Sequence, residues 1–219
     1  VRVLRNVLGL LGELLITAGA FLLLFVGWQL WWTDVVSDTD ASAVVATMAA
    51  NPDAWVQPKK VKLGEAFAIV RVPRFGADFA RPLYEGTTRE VLQRGVGHYL
   101  ETALPGEIGN FAMAGHRTTY GKPFNQIDKL KLGDVVLIET RDYYFVYRVS
   151  ASEVVAPSKT SVLLPVPNDR QAAPTKAMLT MTSCHPEFSA RERFVVYAVL
   201  DVKYPHAQGV PASVLEVQG

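Results

Sequence analysis

The sequence predicts a mainly β domain, a closed barrel or a sandwich of short strands, carried behind one membrane-spanning helix. Three observations lead there. Beyond residue 65 the apolar residues fall in short runs rich in β-branched and aromatic side chains. Glycines and prolines punctuate the first half of that region, and residues 7–30 form an apolar block with almost no charge. Of the 219 residues, 49% are hydrophobic and 20% charged, which excludes an intrinsically disordered chain. A net charge of +1 excludes a nucleic-acid binder that works through bulk positive charge. The single cysteine excludes an internal disulfide and a cysteine-based metal cluster.

The apolar block reads VLGLLGELLITAGAFLLLFVGWQL, with Glu13 its only charge. A bilayer core takes about 20 apolar residues in a helix. Arg2 and Arg5 precede the block and Asp34, Asp38 and Asp40 follow it, which favours a cytoplasmic N-terminus. Trp28, Trp31 and Trp32 gather at the far end, where indoles settle at a membrane boundary. A cleavable signal peptide has a shorter apolar stretch and a small-residue cleavage site, and a buried core helix carries a polar face. The expected division is therefore a cytoplasmic stub at 1–6, a signal anchor at 7–30, an extracytoplasmic connector at 31–64, the main β domain at 65–205 and a tail at 206–219. Within the connector, residues 41–50 read as a short helix stopped by Asn51-Pro52.

Strand-like runs occupy 66–72, 135–140, 143–149, 177–182 and 193–202, with Arg141-Asp142 as a tight hairpin connection. A short helix opens at Thr87-Thr88 and covers Val91 and Leu92, and a helical turn is expected at 124–130. Residues 156–176 form a loop long enough to carry function.

The lone thiol, Cys184, ends a strand-like run beside Thr182, Ser183 and His185. A free cysteine is as readily a small core hydrophobe as a nucleophile. A nucleophile needs a proton partner and an oxyanion holder. Among four histidines, His116 closes the small-residue run Phe111-Ala112-Met113-Ala114-Gly115 and opens a polar segment, which places its imidazole at a rim. His185, adjacent to Cys184 on a strand, points away from the thiol. Arg193 stands nine positions beyond Cys184 at the start of the last strand, and a hairpin would bring it back beside the thiol. Arg191 competes for the same role. Strand alternation groups Arg193 with Val195 and Tyr197 on the face opposite Phe194, Val196 and Ala198.

Taken in order, Pro105-Gly106-Glu107, Gly109-Asn110, Gly115-His116-Arg117, Lys131-Leu132-Gly133-Asp134, Leu179-Thr180-Met181-Thr182-Ser183-Cys184 and Arg193-Phe194-Val195-Val196 resemble the sortase family over residues 65–203. His185 to Arg191 and Arg117 to Tyr120 resemble class E, the housekeeping sortases of high-GC Gram-positive bacteria. The family's TLxTC string stands here as Thr180-Met181-Thr182-Ser183-Cys184. The resemblance implies a closed eight-stranded barrel and a membrane-anchored cysteine transpeptidase that needs no metal or cofactor. It implies Cys184 as nucleophile on the Thr–Gly bond of an LAXTG or LPXTG sorting signal, His116 as proton donor and acceptor, and Arg193 as oxyanion holder. Tyr120, Thr182, Ser183 and Leu163 are the implied substrate contacts, with Tyr120 reading the alanine and the loop around Val162, Leu163 and Leu164 receiving the leucine. The implied partners are surface proteins bearing the signal and the amine of a lipid-linked peptidoglycan precursor. Pro52-Asp53-Ala54-Trp55 is only a distant echo of the lid motif of pilin-type enzymes. The competing readings are an extracytoplasmic cysteine protease or hydrolase, an L,D-transpeptidase, and an inactive membrane-tethered binding barrel. In papain-like enzymes the cysteine precedes the histidine and sits on a helix. The L,D-transpeptidase pattern of His-Gly-Cys is absent here.

Overall fold

The computed structural model describes residues 2–216. Val1 of the predicted stub, the end of the tail at 217–219 and the side chain of Trp31 lie outside the described residues. The first element, α1 (Arg2–Ala50), is one unbroken helix. Its Arg2–Trp28 stretch is long and apolar enough to cross a membrane, and none of the apolar window is buried against the rest of the chain. The apolar stretch and the helix expected at 41–50 are parts of this one element, which runs through the first part of the expected connector to Ala50. No glycine or proline stands between Trp28 and Ala50 to interrupt the backbone hydrogen bonds. The helix also gains a partner there, because Ala41 and Met48 are buried against the domain that follows. It ends where the sequence places its stop, with the Asn51 side chain accepting from the Asp53 amide at 2.9 Å ahead of the Pro52–Ala54 turn.

Eight strands follow: β1 (Ala66–Arg71), β2 (Ala80–Glu85), β3 (Val96–His98), β4 (Gly109–Ala114), β5 (Val135–Glu139), β6 (Tyr143–Val155), β7 (Ala177–His185) and β8 (Glu192–Pro205). They close into a barrel in the order β1-β2-β3-β4-β7-β8-β6-β5. The β2–β3 and β4–β7 pairs are parallel and the others antiparallel. Closure leaves no sheet edge unpaired. The second helix, α2 (Arg89–Leu92), starts at Thr88, whose side chain accepts from the Val91 amide at 3.4 Å. The helical turn expected at 124–130 is shorter, a single tight turn at Ile127–Lys129.

Strand alternation sorts the barrel into an inside and an outside. Phe67, Leu83, Phe111, Met113, Ile138, Tyr147, Leu179, Met181, Val196 and Ala198 fill the interior as one cluster. Val195 and Tyr197 point the other way and pack with Val155, Val162 and Leu163 on the outer wall. The 156–176 loop is held to that wall by buried polar groups. The Asn110 Nδ2 donates to the carbonyls of Val162 at 3.0 Å and Leu164 at 3.1 Å, while Thr180 Oγ1 donates to Asn110 Oδ1 at 2.7 Å. Asn110 and Thr180 are both nearly inaccessible to solvent, so each bond replaces one that water can no longer supply. Asn110→Ala strands two carbonyls at once. It is expected to lower the unfolding free energy by about 1–3 kcal/mol, read by urea denaturation, and to speed proteolysis within 156–176. An unchanged midpoint and cleavage rate would show that the loop is held by its apolar contacts alone.

Candidate active site

The site is assembled by three strand ends. In the antiparallel β7–β8 ladder Cys184 stands opposite Arg193, Ser183 opposite Phe194 and Thr182 opposite Val195. In the parallel β4–β7 ladder Ala114 stands beside Thr182. The chain leaving β4 stays pinned to β7 for one more step. Gly115 donates its amide to the Thr182 carbonyl at 3.2 Å and accepts from Ser183 Oγ at 2.8 Å. Gly115 also has no room for a side chain: a Cβ there would meet the Phe124 ring at 2.8 Å. His116 follows immediately, and the two pinned strand ends bring it to Cys184 and Arg193.

Those three side chains, with Thr87, Leu92, Tyr99, Ala114 and Thr182, border one cavity of about 360 Å³. A second, smaller cavity of about 160 Å³ shares Tyr99, Thr182 and Arg193 with it and is walled by Val155, Pro157, Val162 and Leu163. Together they form a groove along the outer face of β7 and β8, under the 156–176 loop. Because Leu179 and Met181 point into the barrel, alternation turns Thr180, Thr182 and Cys184 outward to this groove. The same alternation turns His185 away from the thiol, with its ring against Phe194 at 5.6 Å between centroids.

His116 is half-buried, and its Nε2 is enclosed without a hydrogen-bond partner among the described residues. Burial, with a smaller contribution from the positive charge of Arg89, holds its pKa below the ordinary histidine value. The neutral imidazole is therefore the resting form at pH 7. The Tyr120 ring lies against it at 5.3 Å between centroids, tilted by 38°. Arg193 Nη1 donates to the carbonyls of Ala190 at 3.1 Å and Glu192 at 2.9 Å, which fixes the side chain at the head of β8. Of the two candidate arginines, Arg193 borders the cavity and Arg191 does not.

The predicted substrate contacts divide. Thr182 and Leu163 line the groove. Ser183 borders the cavity, but its hydroxyl is committed to the Gly115 carbonyl, so it braces the β4–β7 junction. Tyr120 lines neither cavity and instead covers His116. Two participants escaped the sequence reading. Tyr99 lies between the two cavities, its hydroxyl 3.0 Å from Thr182 Oγ1. Arg117 is buried, pairs with Asp128 at 2.9 Å and donates to the Cys184 carbonyl at 3.4 Å, tying the histidine loop to the cysteine strand. The Gly-His-Arg string was a signal for Arg117; nothing in the local pattern marked Tyr99. Trp55, in the string that echoes a lid motif, is buried against Met48 and Ile69 and takes no part in the groove.

A Sortase domain family model matches residues 70–201. The chain belongs to the sortase family. Sortase SrtE1 of Streptomyces coelicolor is 38% identical over 217 residues, covering 94% of this chain and 60% of the relative. Sortase SrtE2 of the same organism is 32% identical over 218 residues, covering 91% of this chain and 84% of the relative. The chain thus spans 60% of the length of SrtE1. Among solved structures, sortase E of Streptomyces avermitilis superposes with a TM-score of 0.64 at 38% identity, over 71% of this chain and 99% of that one. Sortase E1 of Streptomyces coelicolor with a tripeptide in the active site gives 0.63 at 37% identity, over 69% and 97%. These similarities support class E within the sortases.

The depressed pKa of His116 has a consequence for stability that can be read without substrate. The native sortase disfavours the imidazolium, so stability is fully present above the unfolded histidine value and is lost as pH falls through the native one. Between pH 7 and 5 the wild type is expected to lose more melting temperature than His116→Gln, which has no proton to take up. Equal losses would show that His116 is not held neutral by the fold.

Proposed function

We propose that this sortase is a membrane-anchored cysteine transpeptidase that cleaves an LAXTG- or LPXTG-type sorting signal between Thr and Gly. The observation that carries this reading is the register that sets Cys184 opposite Arg193 at one cavity with His116. The anchor at 7–30 holds the N-terminus in the cytoplasm and the catalytic domain at 65–205 outside, with the extracytoplasmic part of α1 between them. The signal lies along the outer face of β7 and β8. Its leucine end enters the smaller cavity against Val162 and Leu163, and its Thr–Gly bond reaches Cys184.

As the thiol attacks the threonine carbonyl, its proton passes to the neutral imidazole of His116. The electron pair of the carbonyl moves onto oxygen, where Arg193 holds it. Two N–H groups of Arg193 are taken by the loop carbonyls; its Nε and Nη2 donors carry no hydrogen bond among the described residues and suit an oxyanion. Collapse of the intermediate breaks the C–N bond, and the imidazolium returns the proton to the departing glycine amine. The thioacyl-enzyme is then resolved by an amine, whose proton His116 accepts, and the thiol is restored. Thr182, held by Tyr99, contacts the threonine end of the signal, and Tyr120 shields the imidazole from water. The amine of a lipid-linked peptidoglycan precursor is the acceptor that such an anchored enzyme meets at the membrane surface. The clients are surface proteins that carry the signal.

The test uses the full chain with matched LAXTG and LPXTG peptides and an amine acceptor, followed by mass spectrometry. A thioacyl adduct on Cys184 and an amide product are expected, with neither formed by Cys184→Ala. His116→Ala is expected to lower kcat/KM by about 10²–10⁴-fold and Arg193→Ala by about 10²–10³-fold. Cleavage without amide product at saturating amine would make the protein a hydrolase. No adduct from a folded wild type would sink the reading and favour a binding barrel.

A further inference from the structure

The face of α1 beyond the membrane stretch is not a passive spacer. Asp34, Asp38, Ala41, Val45 and Met48 recur at helical spacing, and Asp34, Ala41 and Met48 are buried. Met48 packs on Ile69 of β1 with Val45 alongside. At the membrane end of the same face, the two carboxylates reach the loop that follows His116. Asp34 Oδ1 accepts from the Gly121 amide at 3.1 Å, and its Oδ2 pairs with Lys122 Nζ at 2.9 Å. Asp38 Oδ1 pairs with Arg81 Nη2 at 2.7 Å, and that same nitrogen donates to the Gly121 carbonyl at 3.3 Å. Both backbone groups of Gly121 are thus held, directly or through one arginine, by the membrane helix.

That turn needs holding. Tyr120, Gly121 and Lys122 have φ of 54°, 69° and 34°, and only one of the three is glycine. Non-glycine residues keep such a conformation only where their surroundings enforce it. Gly121 is also the residue of closest approach, since a Cβ on it would lie 2.8 Å from Asp38 Oδ1. The first residue of the turn is the tyrosine whose ring covers His116. The loop closes on itself through the Phe124 amide, which donates to the His116 carbonyl at 3.0 Å.

The geometry points to a positioning latch: Asp34, seconded by Asp38, clamps the 120–122 turn to the membrane helix and so holds the Tyr120 ring over His116. The membrane anchor thereby orders the catalytic histidine as well as locating the domain. Loss of the latch lets the Tyr120 ring leave, and water reaches the imidazole. His116 shares its cavity with Cys184 of β7, Arg193 of β8 and the phenol of Tyr99, with Arg89 of α2 at longer range. None of these changes when Asp34 is substituted.

The test uses the full chain in phospholipid nanodiscs, comparing Asp34→Ala and Asp34→Asn with wild type. His116 is titrated by NMR of labelled histidine, its signal assigned with His116→Gln. Both substitutions remove one negative charge, which by itself would lower the His116 pKa. Only Asp34→Ala removes the acceptor for the Gly121 amide. In Asp34→Ala the pKa is expected to rise toward the ordinary value of about 6.5, with Asp34→Asn staying close to wild type. Kinetically, Asp34→Ala is expected to lower kcat by about tenfold or more with little change in KM, because remote misplacement of a catalytic group costs that much. If Asp34→Ala proves unfolded by its melting curve, Asp38→Ala takes its place, since that half-exposed carboxylate forms the second arm. A rise in the His116 pKa there supports the latch. An unchanged or lowered pKa in the folded alanine variant, or an equal rise in Asp34→Asn, overturns it. The kinetic arm rests on the sortase reading; a wild type that turns over no peptide would sink that reading, while the titration still decides the latch.

Discussion

The register of β7 is the constraint on which the site depends. Side chains on a strand alternate between faces, so a slip of one residue would exchange every inward group for an outward one. With Leu179 and Met181 buried inside the barrel, Thr180, Thr182 and Cys184 have to point to the outer wall, where Thr182 and Cys184 border the groove. The same register sets Cys184 against Arg193 on one neighbour and Thr182 beside Ala114 on the other. Packing of two large apolar side chains in the interior therefore brings Cys184 and Arg193 to the outer cavity that His116 also borders.

The row of hydroxyls on β7 shows how a strand can grade from structure to chemistry. Thr180 is wholly buried and spends its hydroxyl on Asn110, which anchors the loop over the groove. Thr182, one pair further along, keeps contact with Tyr99 and forms part of both cavities. Cys184, the last of the row, is half-buried and presented to the larger cavity. Ser183, on the opposite face, serves the junction with β4 instead. Along one face of β7 the row thus passes from a buried structural hydroxyl to the cavity, while the opposite face braces the junction with β4.

What could be read from the sequence follows from which signals are local. The strands at β1, β5, β7 and β8 announce themselves by β-branched and aromatic runs, and the hairpin at Arg141-Asp142 by its neighbours. β2 carries Arg81 and Pro82 in its centre, and β3 is only Val-Gly-His, so neither has a periodicity to detect. β6 continues to Val155 past the expected end at 149 because β8 runs beside it for nearly its whole length. The pattern Ser-Ala-Ser-Glu is not strand-like on its own. Cys184, His116 and Arg193 were legible as candidates because residue type and order single them out, and the structure brings them to one cavity. Tyr99 was not, because its meaning comes from a barrel closure that brings β3 beside β4 and so within reach of β7. The helical face of Asp34, Asp38, Ala41, Val45 and Met48 was in plain view, yet its aspartates read only as the charged flank of the apolar block, because their partners lie far along the chain.

That face of α1 bears on how this sortase holds its candidate site. A carboxylate on a helix face usually signals solvent, and burying one unpaired is costly. Asp34 escapes that cost because it meets an amide and an ammonium on a loop whose own conformation is unfavourable. Each side therefore supplies what the other lacks: the helix needs partners for its buried carboxylate, and the turn at 120–122 needs something to enforce its backbone. The two deficits meet where α1 lies against the barrel, and they add to the turn's own bond from the Lys122 amide to the Thr119 carbonyl at 3.0 Å. Cutting the chain between them would leave a turn with reason to relax, and that turn carries the ring that lies against His116.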